Sequence, residues 1–187
     1  MTKKILKKST IARSLLLIVG VSCLAFYGYT LLELRSSQAH ANWSFEHAPK
    51  PPIGVPLEEG EVVGRLTIPK LRFTAMVREG SDATTLKLAV GHIPQTPLPG
   101  HPGNVGISAH RDTFFRHLGE LKIGDEIGFS TVDGDFTYEV ASLKIVDPKD
   151  VGVLASSQEK VLTMVTCYPF YYIGNAPKRY IVRAKQR

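Results

Sequence analysis

Hydrophobic patterning divides the chain into three stretches. Ser14 to Leu32, SLLLIVGVSCLAFYGYTLL, is nineteen residues without a charge, and about 20 such residues carry a helix across a bilayer core. Residues 35–60, RSSQAHANWSFEHAPKPPIGVPLEEG, have no hydrophobic period and include Pro49, Pro51, Pro52 and Pro56. A segment of that kind builds no core and predicts a semi-extended spacer. From Glu61 onward, short runs of Val, Ile, Thr, Phe and Tyr are broken by Gly, Pro and Asp, which is the signature of strands.

EVVGRLTIP and LRFTAMVRE predict two strands joined at Pro69-Lys70, and NVGISAHR predicts another after the turn-forming PLPGHPGN. DEIGFSTVDGDFTYEVASLKIV predicts two strands around Asp133-Gly134, a strong hairpin dipeptide. KVLTMVT is a continuous apolar strand, and KRYIVRA alternates as a last one. Helical pieces are expected only over 83–90, 113–118 and about 148–155. About seven or eight strands after residue 60 predict a mainly β fold, a closed or nearly closed barrel with short helices, rather than βαβ units. The organisation expected is a basic N-terminus over 1–13, an anchor over 14–32, a proline-rich spacer over 33–60 and one folded domain over 61–187.

Charge sharpens the first stretch. The net charge of +6 resembles a nucleic-acid signal until it is located. Lys3, Lys4, Lys7, Lys8 and Arg13 precede the apolar run and no acid comes before Glu33, which leaves 18 basic against 17 acidic residues. A neutral domain without clustered Lys or Arg does not track phosphates. Positives before an apolar span hold the N-terminus in the cytoplasm and place residues 33–187 outside. A cleaved signal is the competing reading. Its small residues, Ala39-His40-Ala41, lie past Glu33 and Arg35, seven residues beyond the apolar run.

Cys23 lies within the span, so Cys167 is the one thiol of the exported domain and no disulfide within it is possible. An unpaired thiol outside the cytoplasm is either buried and inert or accessible and reactive. Cys167 follows an apolar strand and precedes Tyr168-Pro169, which places it at a strand end. A nucleophilic cysteine needs a proton-transfer partner and a stabiliser for the oxyanion. His92, His101, His110 and His117 are candidate partners by position. His110 is set apart because it ends a strand just before the turn at Asp112. On the last strand Arg179, Ile181 and Arg183 share one face. Either arginine presents a permanently charged planar fork.

GRLTIPKL, AVGHIPQTPLPGHPGNV, SAHRDTFFRHLGELKIGD, LTMVTC and CYPFYYIGNAPKRYIV, in that order, resemble the motifs of sortases, nearest to their class D group. These are membrane-tethered cysteine transpeptidases of the bacterial cell envelope. The resemblance runs from about Gly64 to Arg183. It implies that Cys167 is the nucleophile, with Met164 where the family's Thr-Leu-x-Thr-Cys motif has Leu, a volume-conserving change. It implies His110 as the catalytic histidine, with Ala109 where Gly is common, and Arg179 as the catalytic arginine, twelve residues after the cysteine.

The activity so implied is cleavage of a C-terminal sorting signal like Leu-Pro-x-Thr-Gly through a thioester. Transfer to an amine, a peptidoglycan precursor or a pilin lysine, completes the reaction. No metal or organic cofactor and no nucleic acid is implied, and the chain is expected in the cell membrane as a single-pass protein. The alternatives are a tethered cysteine peptidase that releases its acyl group to water, and a β-barrel binding module with an incidental thiol.

Overall fold

The computed structural model describes residues 2–47 and 56–187. The chain forms two compact units, one up to Ser37 and one from Gln38.

In the first unit, helix α1 (Thr2–His47, which continues into the second unit) is long and apolar enough to cross a membrane, and its apolar window buries nothing within the protein. The uncharged run predicts this helix. The spacer expected over 33–60 differs, because residues 35–47 are helical rather than extended. Its prolines begin only at Pro49, and Pro49, Pro51 and Pro52 lie outside the described residues. Before them Arg35, Gln38, Ala39 and Ala41 are good helix formers. Asn42 Nδ2 also donates to Glu46 Oε1 one turn on, at 3.1 Å.

In the second unit, the last turns of α1 lie against the barrel. Ala41 is buried, the Gln38 amide donates to Leu88 O at 2.6 Å, and Gln38 Oε1 accepts from Met76 N at 2.9 Å. Glu46 meets Arg65 at 2.7 Å, and the Arg65 guanidinium stands over the Phe45 ring. The Gln38 contacts have a backbone cause. Strand β3 pairs with β2 only from Val77 onward, so Met76 N lacks a neighbour there and the side chain supplies one.

Eight strands close the barrel: β1 (Val62–Ile68), β2 (Phe73–Glu79), β3 (Val90–His92), β4 (Gly103–Ser108), β5 (Glu126–Thr131), β6 (Gly134–Val146), β7 (Lys160–Tyr168) and β8 (Lys178–Gln186). Their order around the barrel is β1-β2-β3-β4-β7-β8-β6-β5, with β5 returning to β1. The β2/β3 and β4/β7 pairs are parallel and the others antiparallel. The β5–β6 hairpin forms where its sequence predicts, but its two-residue turn is Val132-Asp133 and Gly134 already pairs with Thr131, one residue off the Asp133-Gly134 dipeptide.

Inward side chains alternate along the strands and fill the barrel: Leu66 and Ile68 from β1, Val105 and Ile107 from β4, Leu162 and Met164 from β7, Val182 and Ala184 from β8. Burying one such large aliphatic side chain stabilises by about 1.5–3 kcal/mol, so this lining holds the strand ends in register.

Local structure between strands is less helical than expected. Helix α2 spans Ala83–Leu88, inside the predicted piece. Residues 111–117 form turns, followed by a 3-10 turn at Leu118–Glu120. Phe115 N donates to His110 O, five residues back, because Phe115 and Leu118 are drawn into the core. The predicted helix at 148–155 is a 3-10 turn over Val151–Leu154.

Candidate active site

Strands β4, β7 and β8 lie side by side, with Cys167 and Arg179 near the adjoining ends of β7 and β8 and His110 two residues past the end of β4. On β7 the core takes Leu162 and Met164, so the pleat turns Thr163, Val165 and Cys167 to the outer face. Across the antiparallel pair, Cys167 stands directly opposite Arg179. Facing residues of such a pair share a side of the sheet with Cβ atoms roughly 5 Å apart. Arg183 shares that face but pairs with Thr163, four residues down β7, which is about 13 Å away at strand rise.

On the other flank, β4 runs parallel to β7, with Ser108 opposite Val165. Ala109 N continues the ladder by donating to Val165 O at 3.3 Å. The buried Thr166 hydroxyl donates to Ala109 O at 2.7 Å. Extended one residue further, past the end of β4, this register would set His110 level with Cys167. Ile107 and Ala109 face the core, so Ser108 and His110 face outward with the thiol. Cys167 is half-buried and His110 is exposed. Arg179 Nη1 donates to Ala176 O at 3.4 Å and to Lys178 O at 3.1 Å, which ties the guanidinium to the end of the loop before β8.

The outer face of β4 is closely covered at Gly106, which is buried. A Cβ on Gly106 would lie about 3.0–3.2 Å from Leu154, Thr96 and Ile93, so only glycine leaves these side chains in place. The β6–β7 connection is pinned there. Buried Asn104 donates to Val153 O (3.0 Å) and Ala155 O (3.1 Å), and its Oδ1 accepts from Thr163 Oγ1 at 2.6 Å.

The remaining histidines stand elsewhere. His92 is 2 % exposed. Its Nδ1 donates to Glu79 Oε2 at 2.6 Å, and Nε2 lies 3.0 Å from Thr96 Oγ1 and 3.1 Å from Pro97 O. Both ring nitrogens are engaged, and the residue is part of the interior. His117 pairs with Glu120 at 2.7 Å on the surface, and His101 is exposed. Among the described residues no group of three or more His, Cys, Asp or Glu is placed to hold a metal.

A pocket of about 360 Å³ lies on the opposite side of the sheet, lined among others by Tyr168, Phe170, Tyr180 and Glu120. Tyr168 and Tyr180 alternate with Cys167 and Arg179, which is why the pocket excludes the thiol. The two rings stack 6.2 Å apart, and burial pushes the Tyr180 phenol up.

Thr166, Asn104 and Arg111 escape the sequence reading. Buried hydroxyl and amide side chains inside apolar strands are the trace that Thr166 and Asn104 leave in the sequence. Arg111, next to His110, leaves none, because its partners lie some 60 residues away at Tyr172 and Gly174.

Comparison with known proteins identifies the family of this fold. Residues 66–187 match the sortase domain family. Sortase D of Bacillus subtilis (strain 168) is 44% identical over 130 residues, 69% of this chain, and the match spans 66% of that relative, just under two thirds of its length. A solved Clostridium perfringens Sortase D5 transpeptidase superposes with a TM-score of 0.72 at 28% identity, covering 81% of this chain and 99% of that one. Clostridium perfringens sortase C, solved with the C-terminal cell wall sorting motif, superposes with a TM-score of 0.65 at 27% identity, covering 83% and 88%. With the motifs in order, the eight-stranded closed barrel and these similarities together, the chain belongs to the sortase family.

Proposed function

We propose that this chain is a membrane-tethered cysteine transpeptidase acting on proteins with a C-terminal sorting signal, and that Cys167, His110 and Arg179 carry the reaction. The Cys167 thiolate adds to the carbonyl carbon before the scissile bond. Arg179, across the β7–β8 pair, donates to the oxyanion that forms, a contribution worth about 10²–10³ in rate for one preorganised donor. The His110 imidazolium gives its proton to the leaving amine as the C–N bond breaks, leaving a thioester on Cys167. An incoming amine loses a proton to the now neutral His110 and displaces the thiolate, which restores both groups. A peptidoglycan precursor or a pilin lysine has the required primary amine.

The observation that supports this reading is the pairing of Cys167 with Arg179 across β7 and β8, beside a parallel strand β4 whose chain reaches His110 two residues past its end. The topology proposed follows the charges: N-terminus cytoplasmic, residues 14–32 in the bilayer and the barrel outside. Product analysis tests the activity. The full chain in detergent is incubated with a Leu-Pro-x-Thr-Gly peptide, with and without an added primary amine. The amide of the acyl fragment with the added amine is the expected product. Release to water alone, at a rate indifferent to the amine, makes the protein a peptidase instead. A sample in which alkylating Cys167 changes nothing is a binding module.

A further inference from the structure

The loop between β7 and β8, residues 169–177, begins two residues after Cys167 and ends two before Arg179. Its tip is bare to solvent, with Tyr171 at 84% and Ile173 at 97% exposure. A loop with so little of its own packing is held by what reaches it from outside. Two such attachments come from the segment that follows His110. Arg111 Nη2 donates to Tyr172 O at 2.7 Å and to Gly174 O at 2.8 Å, with its guanidinium 5.8 Å from the centroid of the Tyr172 ring. Further along, the Phe170 ring lies on Gly119, where a Cβ would come within 2.6 Å of it.

We infer that Arg111 is a positioning residue of the active site, clamping the 169–177 loop to the segment after His110 and so fixing the mouth through which the acyl substrate reaches Cys167. The inference rests on the transpeptidase reading for its effect on turnover, and on geometry alone for the clamp. Arginine suits the task because one nitrogen bridges two carbonyls while the plane lies on a tyrosine face. The arrangement is not one that stability selects. Arg111 Nη1 is buried without a partner, and an unmade bond on a charged donor is costly. Replacing Arg111 by an apolar side chain of similar length therefore leaves stability level or raises it. The cost falls on the loop.

The test compares the full chain in detergent with Arg111→Met and Arg111→Lys. Chymotrypsin cutting after Tyr171 or Tyr172 reads the loop without any substrate. Turnover of a Leu-Pro-x-Thr-Gly peptide, split into kcat and KM, reads the mouth. In Arg111→Met we expect faster loop cleavage and a KM raised about tenfold, the scale of one or two lost hydrogen bonds. The kcat, the pH profile and the melting temperature stay near the parent's, and Arg111→Lys falls between. Unchanged cleavage, or faster cleavage with an unaltered KM, overturns the inference. A parent chain inert toward the peptide refutes the functional reading instead, and the cleavage comparison then decides the clamp by itself.

Discussion

Cys167 and Arg179 face each other across the β7–β8 antiparallel pair, so the thiol and the guanidinium are fixed by one rung of the same ladder. Neither depends on a loop for its place along the sheet. Arg183 is the control that this register supplies, on the same face but four rungs away opposite Thr163. Arg179→Ala is expected to lose about 10²–10³ in kcat/KM. Arg179→Lys also loses most activity, because a flexible ammonium replaces a planar fork. Arg183→Ala keeps nearly all of it. Steady-state kinetics on a sorting-signal peptide, with circular dichroism for each variant, makes the comparison. An impaired Arg183 variant beside an active Arg179 variant would place the oxyanion four rungs lower.

His110 and His92 separate by what their loss damages. His110 is exposed at the end of β4, so His110→Ala is expected to keep the melting temperature while activity falls about 10²–10⁴-fold, the usual cost of a missing proton-transfer group. His92 is interior and joined to Glu79, and His92→Ala strands that carboxylate at a cost on the order of 3 kcal/mol. Thermal melts and kinetics on both variants read the difference. Unfolding of the His110 variant, or inactivity of a fully stable His92 variant, reverses the assignment.

The barrel was legible because its strands are half-buried, which writes a period of two into the sequence, and because Asp133-Gly134 marks its hairpin. Cys167, His110 and Arg179 were legible as residues at strand ends within recognisable motifs. Strand β3 was not: Val90–His92 is three residues long and buried throughout, so no alternation develops. The helix over 35–47 was hidden for a different reason. Its stability comes from Gln38, Ala41 and Glu46 meeting the barrel, contacts with no local pattern. The turns at 111–117 replace a helix because the core recruits Phe115 and Leu118, a tertiary effect that overrides local preference.

The Gln38 bridge moves the boundary of the folded domain. Removing residues 1–37 is expected to leave the melting temperature of the barrel nearly unchanged. Removal of residues 1–60 lowers it, since Met76 N and Leu88 O lose their partner. Gln38→Ala in the longer form isolates that loss at about 1–2 kcal/mol by urea unfolding. Equal stability of the two truncated chains would return the boundary to residue 61.

Acid sensitivity should follow Asp82, the N-cap of α2. The Thr85 hydroxyl, with the Thr84 and Thr85 amides, holds its carboxyl well below the usual carboxylate range. A folded-state value depressed in this way stabilises above the unfolded value, about 3.9, and the stabilisation drains away as pH falls below it. Glu59, whose carboxyl is held up by the neighbouring Asp82 carboxylate, acts with the opposite sign. Melting temperatures are therefore compared between Glu59→Gln and Glu59→Gln/Asp82→Asn from pH 6 to pH 2. The gap between them is expected to close as the acid limit is approached. A gap independent of pH would show that the charge of Asp82 contributes nothing.

If catalysis passes through an acyl group on Cys167, intact-mass spectrometry reads it directly. The full chain is mixed with a sorting-signal peptide, quenched in acid and weighed, then mixed again and chased with a primary amine. The expected result is a chain heavier by the acyl fragment, mapped to the peptide containing Cys167, absent in Cys167→Ala and cleared by the amine as the amide product appears. Turnover of the peptide with no adduct on the chain, persisting in Cys167→Ala, would contradict it.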